Sequence, residues 1–326
     1  MKALVIGYGS IGSRHASNLA RLGHEVSLLR HKRAEKNSSG FPEFHDFDQA
    51  LAEARPECAV VASPTPCHAA DAARLIEHGI PMLLEKPPAM DLASTLQLQE
   101  QMARRGFKKY DLAFNLRYYP ALRFIKEQLP ALGKIYAMRV AAGSYLPGWR
   151  PTVDYRQTTS ARAELGGGVH IELVHEVDYI LWFLGMPEKV VAHVARIGNL
   201  EINSADICLA MFLYADGSIV QLHLDYLSQK NLRGCQIIAE AGTLDWSFTE
   251  RSVTLHNPKP ERIFEVKQDY DFNETYLEQM RNFTSIVAGT AAPLVDMAHG
   301  VKVMRILDAM VRSSASREWV DVSENR

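Results

Sequence analysis

The chain has 326 residues, of which 47% are hydrophobic and 23% charged, with a formal net charge of −2. That length predicts two domains, and the near-neutral balance provides no broad electrostatic footprint for nucleic acid. No run approaches the ~18 apolar residues of a membrane span. The four cysteines (Cys58, Cys67, Cys208 and Cys235) contain no CxxC pair, so neither a zinc site nor a disulfide framework is indicated, and a cytoplasmic setting is expected.

Strand and helix signals alternate through the first third. Ala3–Ile6 is an apolar run ending at Gly7, as a buried parallel strand would. Ile11, His15, Leu19 and Leu22 form one helical stripe that stops at Gly23. Further strands are expected at 25–29, 58–62, 81–84 and 110–114, with helices over 46–54, 68–78 and 91–105. Alternation of this kind predicts a doubly wound parallel sheet, a Rossmann domain over 1–119. The pattern changes at Tyr119-Pro120, where the proline suits the first turn of a helix. Beyond it come β-type stretches at 134–142, 189–197, 207–214, 218–227 and 233–241, then helices over 274–288 and 294–313. Residues 120–326 therefore read as an α+β domain with a largely antiparallel open sheet.

The sharpest motif is Gly7-Tyr8-Gly9-Ser10-Ile11-Gly12, a GxGxxG between a predicted strand and a predicted helix. Gly7 makes the tight turn, Gly9 lets the backbone approach a pyrophosphate, and Gly12 permits close helix–strand contact. Ser10 and Ile11 open the helix whose N–H groups would face the phosphates. An NAD-specific site usually carries an acid about 20 residues further on. Here the second strand ends Leu29-Arg30-His31-Lys32-Arg33. Arg30, helped by Lys32 or Arg33, could pair with a 2′-phosphate, which favours NADP(H) over NAD(H); the plainer alternative is a solvated basic loop.

Two more segments carry candidate chemistry. Glu85-Lys86-Pro87 follows the fourth strand, at the carboxyl edge where open α/β sheets bind ligands. By itself Lys86 could equally be a surface lysine. Gly166-Gly167-Gly168 leads into a stretch read as one helix to Leu184, with Glu172, His175 and Asp178 or Tyr179 on one face. Glu172 and His175 lack a third ligand, so no metal is expected.

Taken together, GYGSIGSRH, Ala62-Ser63-Pro64-Thr65 with His68 downstream, EKP, Asn115-Leu116-Arg117 and the GGG-to-His segment resemble the glucose–fructose oxidoreductase, inositol dehydrogenase and rhizopine-catabolism family (Gfo/Idh/MocA) over nearly the whole chain. The resemblance implies that Lys86 and His175 face the nicotinamide and handle the substrate proton, with Glu172 assisting. It implies that Ser63, Pro64, Thr65, His68, Glu85 and Lys86 border the cofactor. Trp149 and Arg150 would lie by the cofactor, and Asn115, Arg117, Asp154, Tyr155 and Asp178 by the substrate. Glu172 stands where many members have Asp, and Val174 where glycine is frequent. Ser144-Tyr145-Leu146-Pro147-Gly148-Trp149-Arg150-Pro151 with Asp154-Tyr155-Arg156 and Ser160-Ala161 resembles a branch tied to surface-polysaccharide sugars.

The expected activity is NADP(H)-dependent hydride transfer to or from a secondary alcohol or ketone of a sugar, activated sugar or cyclitol. His175 is the principal acid/base, because imidazole titrates near neutral pH, and Lys86 stabilises charge on the reacting oxygen; the two could exchange roles. One alternative is a sugar epimerase, lyase or glycosidase with tightly held NAD(P). Another is a non-catalytic NADP-binding sensor. The resemblance implies that residues 120–326 bind substrate and build a homodimer or homotetramer.

Overall fold

The computed structural model describes residues 1–30 and 39–322. Lys32 and Arg33 lie outside them. The chain divides into two compact units: residues 1–115 with 272–301, and residues 116–271 with 302–326.

In chain order the first unit contains β1 (Lys2–Ile6), α1 (Ser10–Arg21), β2 (Glu25–Leu29), β3 (Glu43–Phe44), α2 (Phe47–Ala54), β4 (Cys58–Val61), α3 (Thr65–Glu77), β5 (Met82–Leu84), α4 (Leu92–Arg105) and β6 (Tyr110–Leu112). The strands form one parallel sheet in the order β3-β2-β1-β4-β5-β6. The strand order turns back beside β1, so the crevice after β1 and β4 is the switch point at which such sheets bind ligands. Apart from exposed Lys2, β1 and β4 are apolar and buried, as central parallel strands require. Asp46 and Asp91 cap α2 and α4 by accepting from the backbone N–H of Gln49 and Ser94. The expected start of the third helix at His68 moves back to Thr65, because Pro66 occupies a first-turn position that needs no N–H bond.

The second unit begins with α5 (Pro120–Gln128) and β7 (Ile135–Gly143), then a string of short turns, then α6 (Val169–Glu172) and α7 (His175–Leu184). The single helix expected through this segment is two. Leu173 adopts φ −95°, ψ 32°, which interrupts the hydrogen-bond ladder between Glu172 and His175. β8 (Lys189–Ala195), β9 (Ile207–Leu213), β10 (Ile219–Asp225), β11 (Leu232–Ala239), β12 (Gly242–Ser247), β13 (Ser252–His256) and β14 (Pro260–Glu265) follow. With β15 (Val320–Asp321) they complete a nine-stranded sheet ordered β14-β13-β12-β11-β7-β10-β9-β8-β15. The sheet is antiparallel except for the β7–β10 pair. Alternate residues such as Cys208, Ala210 and Phe212 are buried, while Leu209 and Met211 between them are exposed. One face of this sheet therefore forms a core and the other stays open.

The final helices do not both fall in the second unit. α8 (Asn273–Ala288) belongs to the first unit, and the division falls inside α9 (Met297–Ser316). The physical reason is burial. Met280 and Phe283 of α8 join Ala3, Val5, Leu19, Val26 and Val60 in one apolar cluster. At about 25 cal/mol per Å2 of apolar surface, a buried phenylalanine and methionine outweigh the loop-closure entropy of returning from far along the chain.

Candidate active site

In the first unit the glycine turn is built as the motif requires. Gly7 has φ +90°, and a Cβ there would meet Ala62 O at 2.5 Å and Ser63 Cα at 2.6 Å. At Gly12 a Cβ would collide with the Gly7 carbonyl, so this glycine serves the packing of α1 on β1. Gly9 differs. Its φ is −81°, which any residue adopts, and a Cβ there meets no atom within 4 Å. Nothing in the protein demands a glycine at that place. Gly9 and Ser10 are exposed at the start of α1, and a helix N-terminus of this kind presents free N–H donors suited to a phosphate.

The loops after β4 and β5 are tied to this turn by buried side chains. His15, on α1, is 0% exposed and its Nε2 lies 2.7 Å from Glu85 Oε1. Glu85 Oε2 accepts the backbone N–H of Lys86 at 3.1 Å. His68 is also buried, its Nδ1 2.8 Å from the Pro87 carbonyl and its Nε2 2.8 Å from the Ser63 carbonyl. Ser63 Oγ donates to Asp71 at 2.6 Å. Glu85, His68 and the Ser63 hydroxyl therefore face inward and hold the loops, while Lys86 is half-buried. The histidine of GYGSIGSRH was visible in the sequence, but its acidic partner 70 residues away was not.

In the second unit Glu172, at the end of α6, accepts the Ser160 hydroxyl at 2.7 Å. His175 opens α7 and is half-buried. Arg117 and Asp178 form a buried two-pronged ion pair at 2.8 and 2.8 Å, with the guanidinium stacked 4.5 Å from the Trp182 ring. Arg233 makes a similar pair with buried Glu176 at 2.8 Å. Trp149 donates its indole N–H to Ser144 Oγ at 2.7 Å and meets Tyr226 edge to face. Arg150 and Asp154 are exposed; Asp154 pairs with Arg156 at 2.9 Å, and the Tyr155 hydroxyl accepts from the Glu201 N–H. Asn115, in the first unit, is buried and donates to Thr275 Oγ1 at 2.9 Å. Several residues expected at the substrate thus have protein partners. Among the described residues no cluster of three or more His, Cys, Asp or Glu could hold a metal ion, and no helix is long and apolar enough to cross a membrane.

Residues 1–110 match the model of an oxidoreductase family with an NAD-binding Rossmann fold, and residues 126–322 match its C-terminal α/β domain. The chain belongs to the Gfo/Idh/MocA oxidoreductase family. Inositol 2-dehydrogenase of Rubrobacter xylanophilus is 24% identical over 323 residues, covering 96% of this chain and 90% of the relative. Inositol 2-dehydrogenase 2 of Paenarthrobacter aurescens is 25% identical, covering 95% and 94%. The WlbA dehydrogenase of Bordetella pertussis, solved with NADH and UDP-GlcNAcA, shares the fold with a TM-score of 0.81 at 18% identity, over 98% of both chains.

As a Gfo/Idh/MocA oxidoreductase the chain has an NAD-binding Rossmann domain, and Gly9 and Gly12 of its turn predict opposite phenotypes. Gly9→Ala should leave the melting temperature close to the parent's and weaken dinucleotide binding about ten-fold or more. Gly12→Ala should lose about 1–3 kcal/mol of stability. Calorimetry and thermal melting on both variants check this, and a destabilised Gly9→Ala would contradict it.

The His15–Glu85 contact sets a pH dependence. Burial pushes the Glu85 carboxyl up, but the His15 hydrogen bond and the charges of His15 and Lys86 outweigh it and hold the group below its ordinary 4.5. A carboxyl lowered on folding adds stability that is present above pH 4.5 and lost as pH falls through the folded value. Glu85→Gln should therefore flatten the acid limb of the melting-temperature profile below pH 4.5. Acid limbs of equal slope in the two proteins would show that Glu85 carries no such linkage.

Proposed function

We propose that this oxidoreductase transfers hydride to or from a secondary alcohol or ketone on a sugar, activated sugar or cyclitol, and that it prefers NADP(H) through Arg30. The carrying observation is that the glycine turn, the Ser63–Thr65 loop and Lys86 follow the carboxyl ends of the adjacent strands β1, β4 and β5. That edge is where the nicotinamide dinucleotide of such a sheet lies. Bound nicotinamide supplies the hydride chemistry. His175 takes or returns the substrate proton, and Lys86 donates to the reacting oxygen as negative charge develops there.

The names of the relatives support polyol-like substrates: two are inositol 2-dehydrogenases, and a solved structure holds a nucleotide sugar. The Ser144–Pro151 segment favours an activated sugar from surface-polysaccharide metabolism. The open face of the nine-stranded sheet, with exposed Leu209, Met211, Ile219 and Leu232, favours a homodimer or homotetramer. The test is a panel of cyclitols, free sugars and nucleotide sugars, with reduced-nicotinamide absorbance as the readout. Turnover confined to polyol-type substrates is expected. Silence across the panel, from protein that binds the dinucleotide and sediments as a monomer, would defeat both the enzymatic and the oligomer readings.

A further inference from the structure

The rim of the first sheet carries an acid that the end of β2 lacks. β3 pairs in parallel with β2, setting Glu43 opposite Leu28 and Phe44 opposite Leu29. Phe44 O accepts the Arg30 backbone N–H at 2.9 Å, which fixes β3 against the residue that follows β2. Glu43 Oε2 then lies 3.4 Å from Arg30 Nη1, and the two side chains are only 10% and 13% exposed. The guanidinium stands 5.9 Å from the centre of the Tyr8 ring, inside the glycine turn. His45 completes the arrangement. Its Nδ1 donates to the Arg30 carbonyl at 2.9 Å, and its Nε2 lies 3.4 Å from Glu43 Oε1.

We propose that Glu43 sets the choice between NAD(H) and NADP(H) by competing with the 2′-phosphate for the Arg30 guanidinium. The inference rests on the reading of Arg30 given above. A 2′-hydroxyl is neutral and leaves the Arg30–Glu43 pair as it stands. A 2′-phosphate seated on Arg30 comes close to the Glu43 carboxylate, and at this low exposure the repulsion is poorly screened. Glu43 thus restrains the NADP(H) preference that Arg30 creates. It disfavours the 2′-phosphate from the neighbouring strand without holding the ribose, unlike the acid at the end of β2 in NAD-specific sites, which binds the 2′-hydroxyl. A two-residue strand that follows a basic stretch gives no sequence signal for this, because the acid sits 13 residues beyond Arg30 and reaches it only through the β2–β3 register.

The experiment is calorimetric titration of the full-length protein with NADPH and with NADH. Glu43→Gln should tighten NADPH about ten-fold and leave NADH within about two-fold. Glu43→Asp, whose shorter side chain withdraws from Arg30, should move the same way by less, and it serves if the glutamine variant folds poorly. In an Arg30→Gln background the effect of Glu43→Gln should vanish, since the competition has no object. Glu43→Gln that weakens NADH and spares NADPH would overturn the proposal, by making Glu43 itself the ribose ligand. An equal change for both nucleotides would overturn it as well. Failure of the Arg30 reading has its own mark: Arg30→Gln alone leaves NADPH affinity unchanged.

Discussion

Lys86→Met should lower kcat by about three orders of magnitude while NADPH affinity stays within about three-fold of the parent. Methionine keeps the length and apolar stem of lysine and removes the ammonium. The backbone at this position is held independently of the side chain, because Glu85 Oε2 accepts the Lys86 N–H and His68 grips the Pro87 carbonyl next to it. The variant should therefore keep the loop and lose the donor to the developing oxyanion. His175→Ala should fall by a comparable factor, since it removes a half-buried imidazole at the first turn of α7 and leaves Val174 and Val177 packed. The pH profiles of the residual rates assign the roles. If His175 is the acid/base, its variant loses the limb near neutral pH, where imidazole titrates, and the lysine variant keeps it. The opposite pattern exchanges the roles. If single-turnover hydride transfer stays at the parental rate in both variants while dinucleotide binding collapses, the two side chains serve binding and the proposed chemistry fails.

The parallel sheet was legible because β1, β4 and β5 hold short apolar runs followed within three residues by Gly7, Pro64 and Pro87, a signal local to each segment. The glycine turn was legible for the same reason. The unanticipated elements depend on pairing over distance. β3 has two residues and exists through its register with β2. β12 to β14 alternate only partly, and their outer strand, Pro260–Glu265, is mostly exposed, so hydrophobic periodicity marks it poorly. The assignment of α8 to the first unit turns on where Met280 and Phe283 are buried, which amphipathicity alone does not disclose. At the site, the residue types were visible but their orientations were not. Nothing in the sequence shows that His15 takes one of the Glu85 oxygens, and Glu172 loses its place on the His175 helix when Leu173 breaks the ladder.

Asp178→Ala should cost about 3–5 kcal/mol, and this loss decides what Arg117 and Asp178 do. Both were expected beside the substrate. The structure pairs them through two 2.8 Å bonds at 6% and 0% side-chain exposure, over the face of Trp182. Removing the carboxylate strands a guanidinium in a medium that solvates it poorly, and most of the penalty is that stranded charge rather than the attraction forgone. For a unit of this size the melting temperature should drop on the order of 10 °C. The control is the apolar double replacement Arg117→Met/Asp178→Leu, which removes both charges together. It should recover most of the lost stability, because an ion pair buried this deeply is nearly neutral against a well-packed apolar pair. A substrate-binding role predicts the reverse ranking. Asp178→Ala would then melt near the parental temperature with a raised KM, and the double variant would do worse still. If recovery in the double variant is accompanied by an unchanged KM, the pair is a positioning device: it locks α7 against the Asn115–Tyr118 turn and so fixes the direction in which His175, one turn earlier on the same helix, projects.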